Sequence, residues 1–470
     1  MAVKPNKIEI YAYNVYFGDC FLMLFKYPDN TQKSVLIDFG STGKGKHKKE
    51  GEAEIEVDES DEMKKDTTGE RLLKVAKDIQ EKCEGKLDVV VATHRHKDHI
   101  YGFGLKEAGK IIIDCKPGVV IQPWTEDPED NRDLNEKKTL LNSDEFKTNP
   151  NHNFAVMLHD MNLVAESIEA EAKNLGNKNN YAKTIDEKLK ERIVFAANDN
   201  KIKNRAAVEN LAKMGKNHYV HFGYDKINWE TVLPGVKVHI LGPPTVENSQ
   251  EITSATTQSA EFWSLQAMTK NFWGVQAATS QVKKSDGESK KLLFSKNKVH
   301  DDKHRPANVR WFVRRLRALR ANQLLEIVKF VDDAMNNTSV IMLFEAENEK
   351  LLFPGDAQIE NWQFAFDKAK KDPSLQKLLN DTTVYKVGHH GSRNATPKSL
   401  WNNFKNKSAD KNKPGRLKTI ISTMEGKHGE SEDTAVPLPK MVKEMKTHSH
   451  YHSTEEIEES FFELIEIELS

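Results

Sequence analysis

The sequence predicts an α/β fold in which several buried strands end on histidine or aspartate. Three observations carry this reading. Short β-branched and aromatic runs recur along the chain, separated by turn residues or by text with helical spacing. Two of them, Leu87-Asp88-Val89-Val90-Val91-Ala92-Thr93 and Gly118-Val119-Val120-Ile121-Gln122, are almost continuously apolar, as expected of strands covered on both faces. The runs also stop at polar side chains of one kind: Thr93 leads into His94, Ile37 into Asp38, Phe353 into Pro354-Gly355-Asp356, and Val387 into Gly388-His389-His390.

The elements follow in order. Strands are expected at Ile8–Tyr13, Cys20–Phe25 and Ser34–Ile37, with turn residues such as Pro28-Asp29-Asn30 between them. Residues 42–66 are charged and without periodicity, so they read as a solvated loop. From Thr68 the positions Leu72, Leu73, Val75, Ala76 and Ile79 fall at helical spacing, with Thr67 or Thr68 as the cap. The two apolar strands come next. Residues 125–215 change character, with helical segments at 154–175, 182–196 and 204–214, and read as a helical insertion. Strand text returns at His218–Phe222 and Val236–Leu241. A second insertion spans about 246–335 and carries a basic helix, Pro306 to Val331. Strands resume at Ser339–Phe344, Lys350–Phe353, Thr383–Val387 and Leu417–Ile421. The expected organisation is therefore a core in three pieces, 1–124, 216–245 and 336–470, interrupted by insertions at 125–215 and 246–335.

Composition bounds the function. With 470 residues the chain can bury a sizeable core without disulfides or metal staples, so a metal here would serve chemistry rather than folding. The formal net charge of -1 selects no partner, and a nucleic-acid surface would have to be a local patch. Three cysteines, Cys20, Cys83 and Cys115, make no disulfide framework and suit a reducing compartment. No apolar stretch approaches the roughly 20 residues that a membrane helix needs, and Met1 to Ile10 has no signal-peptide core. A cytoplasmic protein with no membrane partner is expected.

The chemistry is concentrated in His94-Arg95-His96-Lys97-Asp98-His99. Zinc and manganese take imidazole and carboxylate ligands, and catalytic sites leave a position open for water. Four such residues in six positions cannot all reach one ion from one loop. Two histidines can serve one metal while Asp98 and His99 turn to a second. Asp356, at the tip of a turn after a strand, supplies a bridging carboxylate. In Lys386-Val387-Gly388-His389-His390-Gly391-Ser392 one histidine would complete the ligand set of the second metal and the other would support it through a hydrogen bond or meet substrate, and the sequence does not choose between them. Asp38 is expected to support the metal-binding loop by accepting hydrogen bonds from its backbone.

Together, Phe17-Gly18-Asp19-Cys20, Leu36-Ile37-Asp38-Phe39-Gly40, the His94–His99 run, Gly242-Pro243-Pro244, Asn336–Val340, Pro354-Gly355-Asp356 and Lys386–Ser392 resemble the metallo-β-lactamase superfamily. The flavour is that of the hydrolase domain of the ComEC/Rec2 competence proteins and their free-standing relatives. A late match is Ile421-Ser422-Thr423 with Lys427-His428-Gly429. The resemblance covers roughly 8–125, 215–245 and 335–470. It implies a four-layer αββα sandwich, two divalent ions (Zn2+ or Mn2+) and hydrolysis by a metal-bridging hydroxide. It also implies His94, His96, Asp98, His99, Asp356 and one of His389 and His390 as ligands, with Asp98 and His390 closest to the chemistry, Asp19 near the site, and His428 and Ser392 as substrate contacts. The chain lacks the isolated ligand histidine that many members place between the His94–His99 run and Asp356. His239 lies inside a strand and reads as structural.

Two further features are weighed beside these. Arg305, Arg310, Arg314, Arg315, Arg317 and Arg320, interleaved with Trp311 and Phe312, form a basic helix that would either contact a phosphate backbone or present arginines to solvent. In His448-Ser449-His450-Tyr451-His452 strand alternation would place three histidines on one face, near metal or substrate. The expected activity is that of a phosphodiesterase or nuclease. The rival readings are a lactone, amide or small-ester hydrolase, and a partner-activated effector subunit of a defence-type complex that binds its partner through the insertions.

Overall fold

The apolar runs fold into thirteen strands among the described residues. These are β1 (Lys7–Tyr13), β2 (Cys20–Lys26), β3 (Gln32–Phe39), β4 (Val89–Val91), β5 (Val119–Pro123), β6 (Lys216–Val220), β7 (Lys237–Gly242), β8 (Ile341–Ala346), β9 (Glu349–Phe353), β10 (Val384–Lys386), β11 (Lys418–Ile421), β12 (His450–Ser453) and β13 (Phe462–Glu468). The computed structural model describes residues 3–43, 66–127, 151, 158, 204–249, 334–394, 396–424, 435–457 and 460–469. All of them except Leu158 belong to one compact unit.

Two mixed sheets result. The first has the order β13-β1-β2-β3-β4-β5-β6 and the second β12-β11-β10-β9-β8-β7. In the first, β13 to β3 are antiparallel neighbours and β3 to β6 run parallel. In the second, β7 to β9 are antiparallel and β9 to β12 parallel. Both sheets therefore send the carboxyl ends of several parallel strands in one direction, the usual place for a ligand site in α/β proteins.

The two-residue period of a strand divides the side chains into layers. Val35, Val89, Val91 and Phe21 of the first sheet share one apolar cluster with Met342, Phe344, Leu351, Val384 and Ile420 of the second. The alternate positions Leu22, Leu36, Val90 and Val120 pack instead with Leu72, Val75 and Ile79 of the helix Thr68–Lys82. On the second sheet Leu343, Leu352, Tyr385 and Ile421 pack with Trp362, Leu400 and Met445 from flanking helices. Each fully buried aliphatic side chain contributes about 1.5–3 kcal/mol, so the layering is determined by many small terms of one sign. Thr67 caps the first helix reciprocally: its hydroxyl accepts from the Glu70 amide, and the Glu70 carboxylate accepts from the Thr67 amide.

Three elements differ from the sequence reading. The Glu-rich C-terminal run is an edge strand, β13, whose Ile465 and Ile467 face inward opposite Ile10 and Ile8 of β1. His448 is not on a strand face with its neighbours: the helix Pro439–His448 runs through it, its Nδ1 is 3.2 Å from Glu444 Oε1, and only His450 and His452 lie on β12. His452 pairs with Glu463 at 2.9 Å. The helix Arg205–Leu211, read with the first insertion, packs Ala207 and Leu211 into the same cluster as Phe103. The rest of that insertion's helices, the basic helix with Arg314 and Arg315, and His428 lie outside the described residues. No helix among the described residues is long and apolar enough to cross a membrane.

Candidate metal centre

The histidine run leaves β4 and turns sharply. Thr93 and His94 follow the strand, His96 precedes a one-turn helix Lys97–Ile100, and that turn lies directly on two glycine-containing loops. The Asp19 amide donates to Asp98 O at 2.8 Å, the Gly40 amide to Asp19 O at 3.1 Å, and the Ser41 amide to Lys97 O at 3.2 Å. A Cβ on Gly40 would stand 2.3 Å from Asp98 C and His99 N, and one on Gly18 would stand 2.8 Å from Asp98 O. The glycines of Gly18-Asp19 and Phe39-Gly40 are needed for this approach of three backbones.

Asp38 ties the strand ends together. It is buried, in left-handed backbone (φ 56°), and accepts from the Thr93 amide at 2.7 Å, the Thr93 hydroxyl at 2.7 Å and His99 Nδ1 at 2.7 Å. The bond to His99 does more: it leaves Nε2 facing the interior, 3.0 Å from Asp356 Oδ2. His390 is held in the same manner. Its Nδ1 donates to Ser422 O at 2.9 Å, and its Nε2 is 3.1 Å from Asp98 Oδ2 and 3.7 Å from Asp356 Oδ2. Phe17 packs against the His390 ring with centroids 4.3 Å apart.

Asp98, His99, Asp356 and His390 thus bring one ligand atom each within 4.8 Å of one another, and Asp19, Asp38 and His99 form a second such group. His94 and His96 are adjacent: the His94 ring lies 4.1 Å from that of His99, and His94 Nε2 faces His96 Nδ1 at 2.9 Å. Of the histidine pair, His390 enters the cluster. His389 gives its amide to Asp356 Oδ1 at 3.0 Å, and its ring bonds Ser392 Oγ at 2.9 Å. Both have left-handed backbone, φ 42° and 51°, the kind of strain that surrounding structure must hold in place. His239 lies on β7, outside both groups of ligand atoms, with its Nε2 3.3 Å from Glu345 Oε2. His450 and His452 are absent from both groups of ligand atoms.

Burial and charge act against each other here. Burial pushes the His94 pKa well down, helped by His99 and His96. Burial likewise pushes His96 down to about 4, so both rings are neutral and can donate a lone pair. For His99 burial also works downward, but the carboxylates of Asp356, Asp38 and Asp98 prevail and hold it well above its ordinary value. His390 is raised in the same way, against burial, by Asp356 and Asp19 and by its bond to Asp98. Asp356 and Asp98 are held low despite burial, chiefly by His99 and then by His390.

One residue of this site carried no role in the sequence reading. Lys386 is the last residue of β10, and alternation turns it inward with Val384, into the layer between the sheets. Its ammonium contacts Asp19 Oδ2, donates to Gly355 O at 3.2 Å and lies 3.6 Å from Asp356 Oδ1. The available signal was a lysine at an inward position of an otherwise apolar strand.

The donor set, imidazole nitrogens and carboxylate oxygens that are largely buried, with two rings oriented through their second nitrogen, is one that could hold a metal ion. Asp19 Oδ1 and His99 Nε2 are buried, and their charged neighbours are His390 Nδ1 at 3.5 Å and Asp356 Oδ2 at 3.0 Å respectively. No protein-family model matches the chain, and no curated protein matches it.

Proposed function

We propose that the chain is a metal-dependent hydrolase of the metallo-β-lactamase class, an αββα sandwich with two insertions, whose substrate is a phosphodiester. One observation carries this: Asp98, His99, Asp356 and His390 meet within 4.8 Å at the ends of strands from both sheets, with His99 and His390 each anchored through Nδ1. The facing nitrogens of His94 and His96 would hold one ion, and Asp98, His99 and His390 a second, with Asp356 between them. Bound divalent ions of this kind acidify water and act as Lewis acids toward a phosphoryl oxygen.

The chain's own groups divide the remaining work. Asp38 and Ser422 O fix the two rings that present Nε2 inward. Asp98 is the most exposed member of the cluster, at 15%, so substrate approaches from its side. The Asp98–His390 pair is where a proton is held before an ion displaces it. Ser392 and His389 would serve as substrate contacts. The phosphodiester reading rests on the ligand set, which among the described residues has no isolated histidine at the end of β7 of the kind many metallo-β-lactamases carry, and so would leave more positions for phosphate oxygens. Nucleic acid is the preferred substrate, with Arg314 and Arg315 as backbone contacts and the insertions as a partner surface.

The test is metal content and turnover together. Purified protein incubated with Zn2+ or Mn2+ should hold about two ions per chain, and Asp356→Ala should lose them. With the metal present, bis-p-nitrophenyl phosphate should be hydrolysed in preference to lactone and β-lactam substrates. Protein that stays metal-free would refute the class. Rapid lactone turnover without phosphodiester turnover would refute the substrate. An unchanged salt dependence of DNA binding in an Arg314→Glu, Arg315→Glu variant would remove those arginines from the reading.

A further inference from the structure

We propose that Lys386 is a positioning residue of the metal centre: a resident cation that keeps the carboxylates assembled before metal arrives and decides which oxygen of Asp356 faces the ions. This rests on the metal-centre reading above.

The geometry separates the two oxygens of Asp356. Oδ1 accepts the His389 amide at 3.0 Å and lies 3.6 Å from the Lys386 ammonium. Oδ2 has neither, and points instead to His99 Nε2 at 3.0 Å and His390 Nε2 at 3.7 Å. One oxygen is therefore occupied by the protein and the other is offered to the centre. Asp19 is divided likewise. Its Oδ2 takes the ammonium, while its Oδ1 makes no hydrogen bond among the described residues and lies 3.5 Å from His390 Nδ1. The third anchor of the ammonium, Gly355 O at 3.2 Å, belongs to the same turn as Asp356. Lys386 thus joins the start of β2, the turn after β9 and its own strand β10.

Charge explains why a lysine stands here. Asp19, Asp38, Asp98 and Asp356 crowd one buried region, and their side chains are at most 15% exposed. Buried carboxylates without counter-charge repel one another and pay heavily for lost hydration. Lys386 is 2% exposed, and its aliphatic stem lies among inward strand residues. A neutral residue of the same shape would keep the packing and remove only the cation. In that variant only the imidazoles of His99 and His390 face Asp356 and Asp19 with positive charge, and a divalent ion would add the charge that Lys386 supplied. The loss of Lys386 should therefore be felt more by metal-free than by metal-loaded protein. By linkage this also means that the variant binds metal more tightly once folded.

The experiment compares thermal melts of wild type, Lys386→Met and Lys386→Arg, each in chelator and with Mn2+ or Zn2+ alone. In chelator, Lys386→Met should melt on the order of 10 °C lower than wild type. Metal should recover most of that loss, so its stabilising shift is larger in the variant than in the parent. Lys386→Arg keeps the charge and should keep the wild-type shift. Should Lys386→Met fail to fold in chelator, the Lys386→Met, Asp19→Asn double variant removes the stranded carboxylate with the cation and should fold. Equal metal-induced shifts in wild type and Lys386→Met would overturn the proposal alone, since an ordinary buried ion pair loses the same stability with and without metal. A double variant no more stable than Lys386→Met would do the same. Wild-type protein that takes up neither metal would overturn both this proposal and the reading it rests on.

Discussion

Replacing Asp38 by asparagine tests the site through the residue that holds His99 Nδ1. Asp38 accepts three buried hydrogen bonds, from the Thr93 amide, the Thr93 hydroxyl and His99 Nδ1, each at 2.7 Å. Asparagine has nearly the same shape and tolerates the left-handed backbone at φ 56°. Its oxygen can still accept from the Thr93 amide. Its amide nitrogen must then face the Thr93 hydroxyl and His99. The hydroxyl can rotate to accept, but His99 Nδ1 meets a donor and must give up its proton. The ring then carries its hydrogen on Nε2, the atom 3.0 Å from Asp356 Oδ2, and that nitrogen no longer offers a lone pair to an ion. Loss of such an orienting partner weakens metal binding about 10–100-fold, which corresponds to about 1.4–2.8 kcal/mol. The fold itself loses one charge-assisted hydrogen bond, about 1.5–3 kcal/mol, and should stay folded at room temperature. Competition titration of Zn2+ against a chromophoric chelator measures the first effect, and a circular-dichroism melt in excess chelator measures the second. An Asp38→Asn protein that binds zinc as tightly as wild type would refute the claim that Asp38 acts by fixing the His99 tautomer.

Three further outcomes follow from the same geometry. His390→Ala should lose metal while His389→Ala retains it, because only His390 presents Nε2 to the cluster; equal loss measured by elemental analysis would contradict this. Gly40→Ala should destabilise the chain by about 1–3 kcal/mol or more and lower metal content, since its Cβ would lie 2.3 Å from the Asp98–His99 peptide; an unchanged denaturation midpoint would count against the three-backbone packing. In metal-free protein the His99 pKa, raised by Asp356, Asp38 and Asp98 against burial, contributes stability that is complete below the ordinary value of 6.5 and is lost as pH rises through the raised value. The Asp356 pKa, lowered by His99 and His390 against burial, contributes stability present above its ordinary value of 3.8 and lost as pH falls through the lowered one. Melts in chelator should therefore decline on both sides of neutrality, and a melting temperature that climbs steadily from pH 7 into alkaline buffer would refute the protonated state of His99.

Much of this molecule was legible along the chain because strand burial and strand ends leave local marks. Val89, Val90 and Val91 announce a strand covered on both faces, and the residues after it bring histidine and aspartate to the buried cluster. Gly40 and Gly18 were visible as glycines, but their reason, the Asp98–His99 backbone pressed against both, is a contact between segments far apart in sequence. The choice between His389 and His390 was closed to the sequence for the same reason. It depends on Ser422 O, which fixes one ring, and Ser392 Oγ, which holds the other. β13 was missed because only Ile465 and Ile467 of this edge strand are buried, and three glutamates, Glu463, Glu466 and Glu468, interrupt its apolar pattern.

Composition and pattern by themselves determined the class of fold, the strand ends that carry chemistry, and the residue types a metal would meet. Periodicity and residue type act over a few neighbours, and a strand that stops at His94 or Asp356 can be read from either side of the stop. Only the tertiary structure decided which atoms converge, because convergence is set by two sheets packing face to face and by loops that approach through their glycines. Lys386 shows the division most clearly. In the sequence it is one lysine among many. In the fold it lies inward between the sheets, with Asp19 and Asp356 around its charge, because the side chains of β10 alternate.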